Sequence, residues 1–405
     1  MTRNSKGTLL ITPLRYHSAT WALLALIAGS LLLVGVAVAG ALWWLMLLWQ
    51  AAINPVDIER ILWALVATAL VAIWLAPLAT NSTRPKGLPM KPSEAPELFK
   101  AIRDGWGRAG IPATLQIEIC ADAGLQLAPP GTLWQGLAGS PRRLWIGMGA
   151  LEELTADELV SLATASAADW GGSGYAVGGF VGRMLQTFEA VGGAFAAGGC
   201  QQYVNPLLFL LAGVTQLLHR PGLLANFAWQ APLFLDVFGI RSGGALIYSG
   251  AREKSVLNEA LFETTAYNVV VDLMEQGKQL KNLFLYFEES KQQIDSANLT
   301  KLRDSIFADE TGTAGSGLAG SLAPNLTLPT LSQRLARVEM SPAAASRDTR
   351  PSRDLIPNVV DWEERLSERL TTALDQALQS SRAEMWEQHQ RDVQTMKDEY
   401  ENRQQ

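Results

Sequence analysis

Histidine and cysteine, which often bind transition metals in proteins, are scarce in this chain of 405 residues. The three histidines are His17, His219 and His389, and no two of them are spaced to bind one metal ion from a single helix. The two cysteines, Cys120 and Cys200, are too few for a disulfide framework, which favours a reducing compartment. We interpret both as small buried side chains rather than as a metal-binding pair.

Charged residues are also few. Asp, Glu, Lys and Arg make up 18% of the chain, whereas 48% of its residues are hydrophobic. The net charge is −6 and there is no basic cluster, so the chain lacks the positive surface on which nucleic-acid binding depends. Thirteen tryptophans are present, and several flank apolar runs, as do residues that anchor helices at a membrane interface. The composition therefore indicates a membrane protein with no nucleic-acid partner.

Two apolar runs near the N-terminus predict a transmembrane hairpin. Residues 21–49 carry no charge and exceed the roughly 20 helical residues that cross a bilayer core, while 61–79 has about the minimum length. Basic residues precede the first run and follow the second, which places both ends of the hairpin in the cytoplasm by the positive-inside rule. The alternative is a cleaved signal peptide with its cleavage site at 37–39. The basic residues are Arg3, Lys6, Arg15, Arg84, Lys86 and Lys91.

A third apolar stretch, within 190–240, has two interpretations. It is interrupted by His219, Arg220, Pro221 and Gly222. One interpretation is an additional transmembrane or re-entrant hairpin, and the other is a buried, Gly-rich pair of helices in a soluble core. Hydrophobic periodicity does not separate the two, so both remain open.

The region after the hairpin alternates between helices and strands. Residues 93–109 form an amphipathic pattern typical of a helix, and 115–120 and 143–147 are predicted strands. Thr155, followed three residues later by Glu158, is a capping box, which predicts a helix from about Ala156 through Trp170.

The order of helix, "AGIP", strand and "LWIGMGALEELTADELVSLATASAADW" resembles the HtpX-like membrane metallopeptidases, which are relatives of the CAAX prenyl protease. The resemblance implies an α-rich α+β fold, with an N-terminal transmembrane hairpin before a cytoplasmic zincin-like domain that contains a small sheet. In that family, two histidines and a glutamate in H-E-x-x-H lie on one helix and serve as zinc ligands and general base. A later helix with the pattern E-x-x-A-D supplies a third ligand.

This chain departs from the pattern at nearly every reactive position. The motif is replaced by Ala165-Ser166-Ala167-Ala168-Asp169, so Ala165, Ser166 and Asp169 stand where His, Glu and His are expected. Glu263 matches the third ligand, but a tyrosine replaces the following Asp, and a leucine replaces the histidine of a later "THPP-L-ER" segment, at 327–334 here. Alanine has no donor atom and serine is no carboxylate base, so we expect neither a catalytic residue nor a bound zinc.

The remaining ligand-like residues also have ordinary interpretations. Asp169 suits the C-terminal surface or cap of a helix, and Glu263 suits a solvated helix face. The alternative is an unusual metal site that uses both.

Four units follow from the sequence: an arm with two transmembrane helices (1–84), the metallopeptidase-like domain (85–340), a polar linker (341–357) and a charged amphipathic helix (358–405). The apolar stripe of the last unit suits either docking on the domain or a coiled coil with a partner. We favour docking followed by a frayed tail, and the polar linker predicts that truncation at Pro357 leaves the core intact. The stripe consists of Trp362, Leu366, Leu370, Leu374, Leu378 and Met385.

These patterns predict a catalytically inactive, metallopeptidase-like protein that acts as a binding, scaffold or regulatory subunit of a membrane complex. No cofactor is expected. The predicted partners are the lipid bilayer and a membrane or cytoplasmic protein, and the predicted location is a bacterial-type cytoplasmic membrane, crossed more than once. The alternative is a membrane-bound zinc metalloendopeptidase with atypical ligands, and a transport subunit is a weaker hypothesis because the apolar runs lack charges for an ion path.

Overall fold

The computed structural model describes most of the chain outside both termini and several internal stretches. The described residues are 13–53, 58–79, 87–111, 115–128, 132, 135, 137, 142–168, 177, 180–187, 232–233, 235–275, 282–308, 330–338 and 348–372.

Helices dominate these residues, and a small mixed sheet accompanies them. The helices are α1 (Pro13–Ile53), α2 (Ile58–Ala79), α3 (Pro96–Ala109), α4 (Met148–Glu153), α5 (Ala156–Ala167), α6 (Ala245–Glu275), α7 (Leu283–Gln293), α8 (Ser296–Ala308) and α9 (Leu331–Val338). The strands are β1 (Leu88–Met90), β2 (Leu115–Cys120), β3 (Leu125–Leu127) and β4 (Arg142–Gly147). Helical backbone also occurs at 180–187, 235–243 and 359–372, and Ser352–Leu355 is a 3-10 turn.

The sheet has the strand order β1-β2-β4-β3, in which the central pair is parallel and both outer pairs are antiparallel. Ile117 and Ile119 of β2 are almost completely buried. They lie two residues apart and therefore on the same face of the strand, which faces the core. Glu118 points to the other face, where its Oε2 accepts a hydrogen bond of 2.7 Å from Trp145 Nε1. Both predicted strands, 115–120 and 143–147, are confirmed as β2 and β4. The short outer strands β1 and β3 were not predicted.

The predicted capping box is present at the start of α5. The Thr155 hydroxyl accepts from the Glu158 N–H at 3.4 Å, and the Glu158 carboxylate accepts from the Thr155 N–H at 2.9 Å. These two bonds satisfy N–H groups that the first turn of a helix leaves without partners. The helix begins at Ala156 as predicted and ends at Ala167, while Trp170 lies outside the described residues.

α3 and α5 pack on each other and share one hydrophobic core with the buried residues of the sheet. The amphipathic pattern of α3 buries Leu98, Ile102 and Trp106, and the Trp106 Nε1 donates to the Ala163 carbonyl at 3.3 Å. Gly105 lets the two helices approach closely, because a Cβ atom there would lie 2.3 Å from Val160 Cγ1. The same hydrophobic core continues into α4 and the N-terminal part of α6.

Among the described residues, α1 is the one helix that is long and apolar enough to cross a membrane. The candidate span runs from Thr20 to Ile53 with a mean hydropathy of 2.6 in its apolar window, of which only 17% is buried. A signal sequence meets the same criteria of length and composition. α2, with 22 residues, packs on α1, but its side chains are described only as far as residue 72, so the expected second span stays a prediction.

The contact between α1 and α2 is built from small residues. Ala52, Ala64 and Ala67 are buried there, which lets the helices lie close together. The Trp49 Nε1 donates to the Thr68 hydroxyl at 3.1 Å, and that hydroxyl donates to the Ala64 carbonyl. The helices are therefore joined by a hydrogen bond as well as by packing.

The two helices overlap over only part of their lengths. α1 is about 61 Å long and α2 about 33 Å, at 1.5 Å per residue. Because Trp49 lies opposite Thr68, α2 ends near the level of residue 38 on α1. The N-terminal half of α1 instead contributes Leu23, Ile27 and Val34 to the hydrophobic core that contains α3 and α5. α1 therefore joins the hairpin to the domain without a flexible connection.

The chain returns to this core near its C-terminus, through residues 348–372, which we call the C-terminal strap. Ser352 is completely buried, and its N–H and hydroxyl donate to the Leu154 and Leu151 carbonyls at 2.8 and 2.9 Å. Trp362 and Leu366 belong to the same hydrophobic core as α3 and α5.

This packing corrects the expectation for 341–357, because the described part of that stretch pairs with the domain instead of connecting two units. The described part of the predicted amphipathic helix docks on the domain, in agreement with the favoured interpretation of its stripe. Residues 373–405 lie outside the described residues, as does most of the apolar stretch 190–240.

Candidate functional site

α5 carries Ala165 and Ser166, which the resemblance matches to the first two residues of the zinc motif, and its inner face is covered. Ala165 is buried and Ser166 is half-buried, whereas Asp169 lies outside the described residues. Residues 235–243 form the helical segment that lies against this face. The Ser161 hydroxyl donates to the Gly239 carbonyl at 2.8 Å and so fixes the segment on α5.

Gly239 is the point of closest approach over Ala165. A Cβ atom at Gly239 would lie 3.2 Å from the Ala165 Cβ and 2.3 Å from the ring carbon Cε2 of Tyr248. The Gly239 backbone therefore packs close to both the Ala165 Cβ and the Tyr248 ring, and Ala165 is buried beneath it, which leaves little room for a longer side chain.

The other polar side chains of α5 that face this segment are also satisfied. The Thr164 hydroxyl donates to the Val160 carbonyl at 2.7 Å and lies 3.2 Å from the Ser242 hydroxyl. Gly243 permits this proximity, since a Cβ atom there would lie 2.8 Å from Ser161. These are packing contacts between hydroxyl and backbone groups, and hydroxyl groups of this kind are poor zinc ligands.

Asp236, Arg334 and the Tyr248 hydroxyl form a buried ionic cluster at this segment. The Arg334 guanidinium of α9 binds both oxygens of Asp236, with Nη2–Oδ1 of 2.6 Å and Nε–Oδ2 of 3.0 Å. The Tyr248 hydroxyl also donates to Asp236 Oδ1. The Arg334 and Asp236 side chains are 6% and 5% exposed, so this bidentate pair is almost fully withdrawn from solvent.

The electrostatics of this cluster hold its members in one charge state. Burial and the neighbouring Asp236 carboxylate raise the pKa of the Tyr248 hydroxyl, which therefore stays protonated as a donor. Arg252, also buried in the cluster, has its pKa lowered by burial and by Arg334, and its Nε has no hydrogen-bond partner among the described residues. A neutral tyrosine and a bidentate ion pair thus hold the segment over Ala165 in place.

The structure does not bring Glu263 beside Ala165. α6 runs antiparallel to α5, because its Tyr248 lies beside Gly239 and its Lys254 forms an ion pair with Glu158 at 3.0 Å. Glu263 is 15 residues beyond Tyr248, or about 22 Å along the helix axis. Zinc ligands all lie about 2 Å from the metal, so the match of Glu263 to a third ligand is not reproduced by the fold.

The neighbourhood of position 263 serves packing instead. Phe262 stacks edge-on against Phe287 of α7, with 4.9 Å between ring centroids, and lies 6.2 Å from the Phe284 ring. The side chain of Glu263 itself is outside the described residues. In the part of the chain that the structure describes, no three His, Cys, Asp or Glu side chains lie close enough to hold a metal ion.

The sequence did not predict three residues of the ionic cluster, Asp236, Tyr248 and Arg334. Arg334 stands within the segment 327–334, which suggested a family position, but its partner Asp236 is 98 residues away. Tyr248 and Asp236 lie on either side of a helix break at Gly244, where φ is 88°. A signal was present in the acidic residue at 236, which interrupts an apolar stretch and so needs a buried partner.

Comparison with known proteins does not assign this chain to a family. No known family, characterised protein or solved structure matches it. The resemblance to HtpX-like metallopeptidases therefore stays a prediction that rests on the residues quoted above.

Proposed function

We propose that this chain is a catalytically inactive relative of the HtpX-like metallopeptidases and acts as a binding or scaffold subunit of a membrane complex. The observation that carries the proposal is the covered face of α5. Ala165 is buried against Gly239, which also packs on the Tyr248 ring, whereas an active peptidase would need a zinc ion and an open position for water here.

The chemistry of the substituted positions supports inactivity. Catalytic zinc takes three protein ligands and lowers the pKa of bound water from 15.7 to about 7. Ala165 offers no ligand atom, and the Ser166 hydroxyl does not act as a general base at neutral pH. Peptide hydrolysis by this route requires both functions, and neither is available on α5.

The apolar surface of α1 supports a membrane-anchored subunit rather than a soluble one. α1 exposes large apolar side chains such as Leu32 and Val36 along one side, while its other side joins the core of the domain. Such a helix places the domain directly at the bilayer, where an apolar surface is covered by lipid or by a neighbouring membrane helix. In this proposal the chain is multi-pass and its domain faces the cytoplasm.

Metal content of the full-length protein in detergent tests the proposal. We expect less than about 0.1 zinc per chain after incubation with zinc and desalting, and no chelator-sensitive cleavage of casein, because a catalytic site binds about one zinc per chain. About one zinc per chain together with chelator-sensitive proteolysis would contradict the proposal and favour the metalloendopeptidase with atypical ligands.

A variant with restored ligands sharpens this test. Ala165→His, Ser166→Glu and Asp169→His together recreate the family motif. Because Glu263 is distant and position 165 is covered, we expect the triple variant to bind no stoichiometric zinc and to unfold at a lower temperature than the unmodified chain. Stoichiometric zinc that is lost on adding Glu263→Ala would contradict both the cover over α5 and the placement of Glu263 about 22 Å along the helix from Tyr248.

A further inference from the structure

The C-terminal strap meets α4 at a cluster in which acidic groups outnumber basic ones. Glu152 belongs to α4, Arg353 to the 3-10 turn of the strap, and Glu363 to its helical part, 359–372. The Arg353 Nη1 lies 2.5 Å from Glu152 Oε2, and its Nη2 lies 3.9 Å from Glu363 Oε1. One guanidinium thus faces two carboxyl groups from opposite sides of the interface.

Both carboxyl groups are withdrawn from solvent. The side chains of Glu152 and Glu363 are 10% and 9% exposed, against 38% for Arg353. Glu363 Oε2 accepts a hydrogen bond of 2.8 Å from the Asn282 side-chain amide, whereas Glu152 Oε1 is buried and has no hydrogen-bond partner among the described residues. An ionised Glu152 would therefore leave one negatively charged oxygen without compensation.

The neighbouring cation does not correct this imbalance. Lys291 of α7 is paired with Glu153, the residue next to Glu152 on α4. The charged groups that the structure places around Glu152 are then Arg353 and Glu363 from the strap, with the Glu153–Lys291 pair beside them. Two buried carboxyl groups that share one guanidinium favour a state in which the pair keeps one proton.

We propose that Glu152 and Glu363 form a proton-dependent clasp, which holds the C-terminal strap on the domain while the pair keeps one proton and weakens its docking when both groups ionise. This inference stands on the interface between the strap and α4, and it does not depend on the proposed function of the domain.

The pKa of the Glu152 carboxyl is consistent with this geometry. Burial raises the pKa of the Glu152 carboxyl from 4.5 to about 7; Arg353 lowers it, and the nearby Glu363 raises it further. A group whose pKa is raised on docking stabilises the docked state fully below its ordinary pKa, and this stabilisation is lost as the pH rises through about 7. The equilibrium constant for opening therefore increases by up to about tenfold per pH unit between these two values and is constant above them.

The consequence concerns the chain beyond the strap. Residues 373–405 follow it directly and contain many charged residues in the sequence. A transient opening of the strap, which becomes more frequent as the pH rises to about 7, would expose its own apolar stripe, including Trp362 and Leu366. For this stripe the sequence favours docking on the domain and leaves a coiled coil with a partner as the alternative, so the clasp would control when the stripe is available to a partner.

Hydrogen exchange of the full-length protein in detergent, measured by mass spectrometry between pH 5 and 9, tests the clasp. Protection factors, which are corrected for the intrinsic exchange rate at each pH, are compared between 359–372 and the central strand β2. We expect protection of 359–372 to fall by up to about tenfold per pH unit as the pH rises to about 7 and to level off above, while β2 stays constant.

Three variants separate the clasp from a general effect. Glu152→Gln removes the carboxyl whose pKa is raised and should make the protection of 359–372 independent of pH, whereas Glu363→Gln removes one of the smaller causes and should move the fall in protection to lower pH. Glu153→Gln changes the adjacent glutamate, which is paired with Lys291, and should keep the pH dependence. Protection that does not change with pH in the unmodified chain would overturn the proposal. The proposal would also fail if the Glu152→Gln and Glu363→Gln variants both kept the original pH dependence, or if β2 lost protection in parallel.

Discussion

Gly239 shows how one missing side chain shapes the interior of this protein. It brings the backbone of 235–243 against Tyr248 and Ala165, so that the face of α5 is closed by main-chain atoms. The position is not in the left-handed region, so conformational freedom is not the reason for glycine here. The reason is space, since a single methyl group would overlap the tyrosine ring.

We therefore expect Gly239→Ala to destabilise the protein by about 1–3 kcal/mol, which is typical of overpacking in a core. Gly107→Ala is the matched control, because Gly107 is an exposed glycine of α3 with no atom within 4 Å of an added Cβ. That variant should be neutral or more stable by up to about 1 kcal/mol. Thermal unfolding of both full-length variants in detergent measures the difference, and equal effects would show that the space at Gly239 is not filled.

The ion pair between Arg334 and Asp236 has a similar role, since it attaches α9 to the segment over α5. Arg334→Met leaves a buried carboxylate with only the Tyr248 hydroxyl as a strong donor, and we expect a loss of about 3–5 kcal/mol. Combining it with Asp236→Asn removes the stranded charge, so the double variant should be more stable than Arg334→Met alone.

Chemical unfolding of the single and double variants provides this comparison. The control is Arg303→Met, which breaks an ion pair with Glu253 in which the arginine is 54% exposed. Its effect should stay below about 1 kcal/mol, because solvent screens an exposed pair. If the Asp236–Arg334 double variant proved less stable than Arg334→Met, the pair would contribute through contacts other than its charges.

The C-terminal strap is the element for which sequence and structure differ most. Its first part reads as a polar linker, yet Ser352 is fully buried and forms two hydrogen bonds with the end of α4. Its helical part inserts Trp362 and Leu366 into the domain core. The strap is thus part of the fold, although it comes last among the described residues.

Truncation at Pro357 is therefore expected to destabilise the domain rather than to leave it intact. Removing a buried tryptophan or leucine side chain costs about 2–5 kcal/mol each, which approaches the whole stability of a typical domain. A chain that ends at residue 372 keeps these contacts and should fold. Limited proteolysis and thermal unfolding of both truncated proteins distinguish the two cases. A stable chain ending at 357 would restore the linker interpretation.

The molecule as a whole is organised around α1, which takes part in both the apolar hairpin and the domain core. Leu23 and Ile27 are buried with the domain, whereas Trp49 and Ala52 face α2. In the proposed membrane arrangement, an apolar helix shared in this way would fix the position of the domain relative to the bilayer, because a tilt of one would move the other.

The topology of the hairpin gives a direct prediction. The basic residues around the two apolar runs favour both ends in the cytoplasm, so Asp57 in the connection should lie outside and Ser93 inside. Cysteines placed singly at these positions in intact cells, with Cys120 and Cys200 replaced by serine, should show that only position 57 reacts with an impermeant maleimide. Reaction at position 93 alone, or an N-terminus cleaved after Ala39, would contradict the prediction.

Local patterns in the sequence were sufficient for much of the fold. The Thr155–Glu158 capping box, the amphipathic face of α3 and the alternation of β2 depend on neighbours within a few residues, so the sequence alone determined these elements. The same holds for the length and apolar character of α1. For the functional site, the sequence determined the absence of ligand atoms at Ala165 and of a carboxylate at Ser166.

The remaining features depend on residues that are distant in the chain, and only the tertiary structure decided them. The cover over Ala165 joins positions 165, 239 and 248, and the clasp joins Glu152 to Glu363 across 211 residues of chain. The distance of Glu263 from Ala165 follows from the antiparallel packing of two helices, which a motif match does not include. Burial and charge pairing are properties of the folded interior, and for that reason a local sequence pattern contains no record of them.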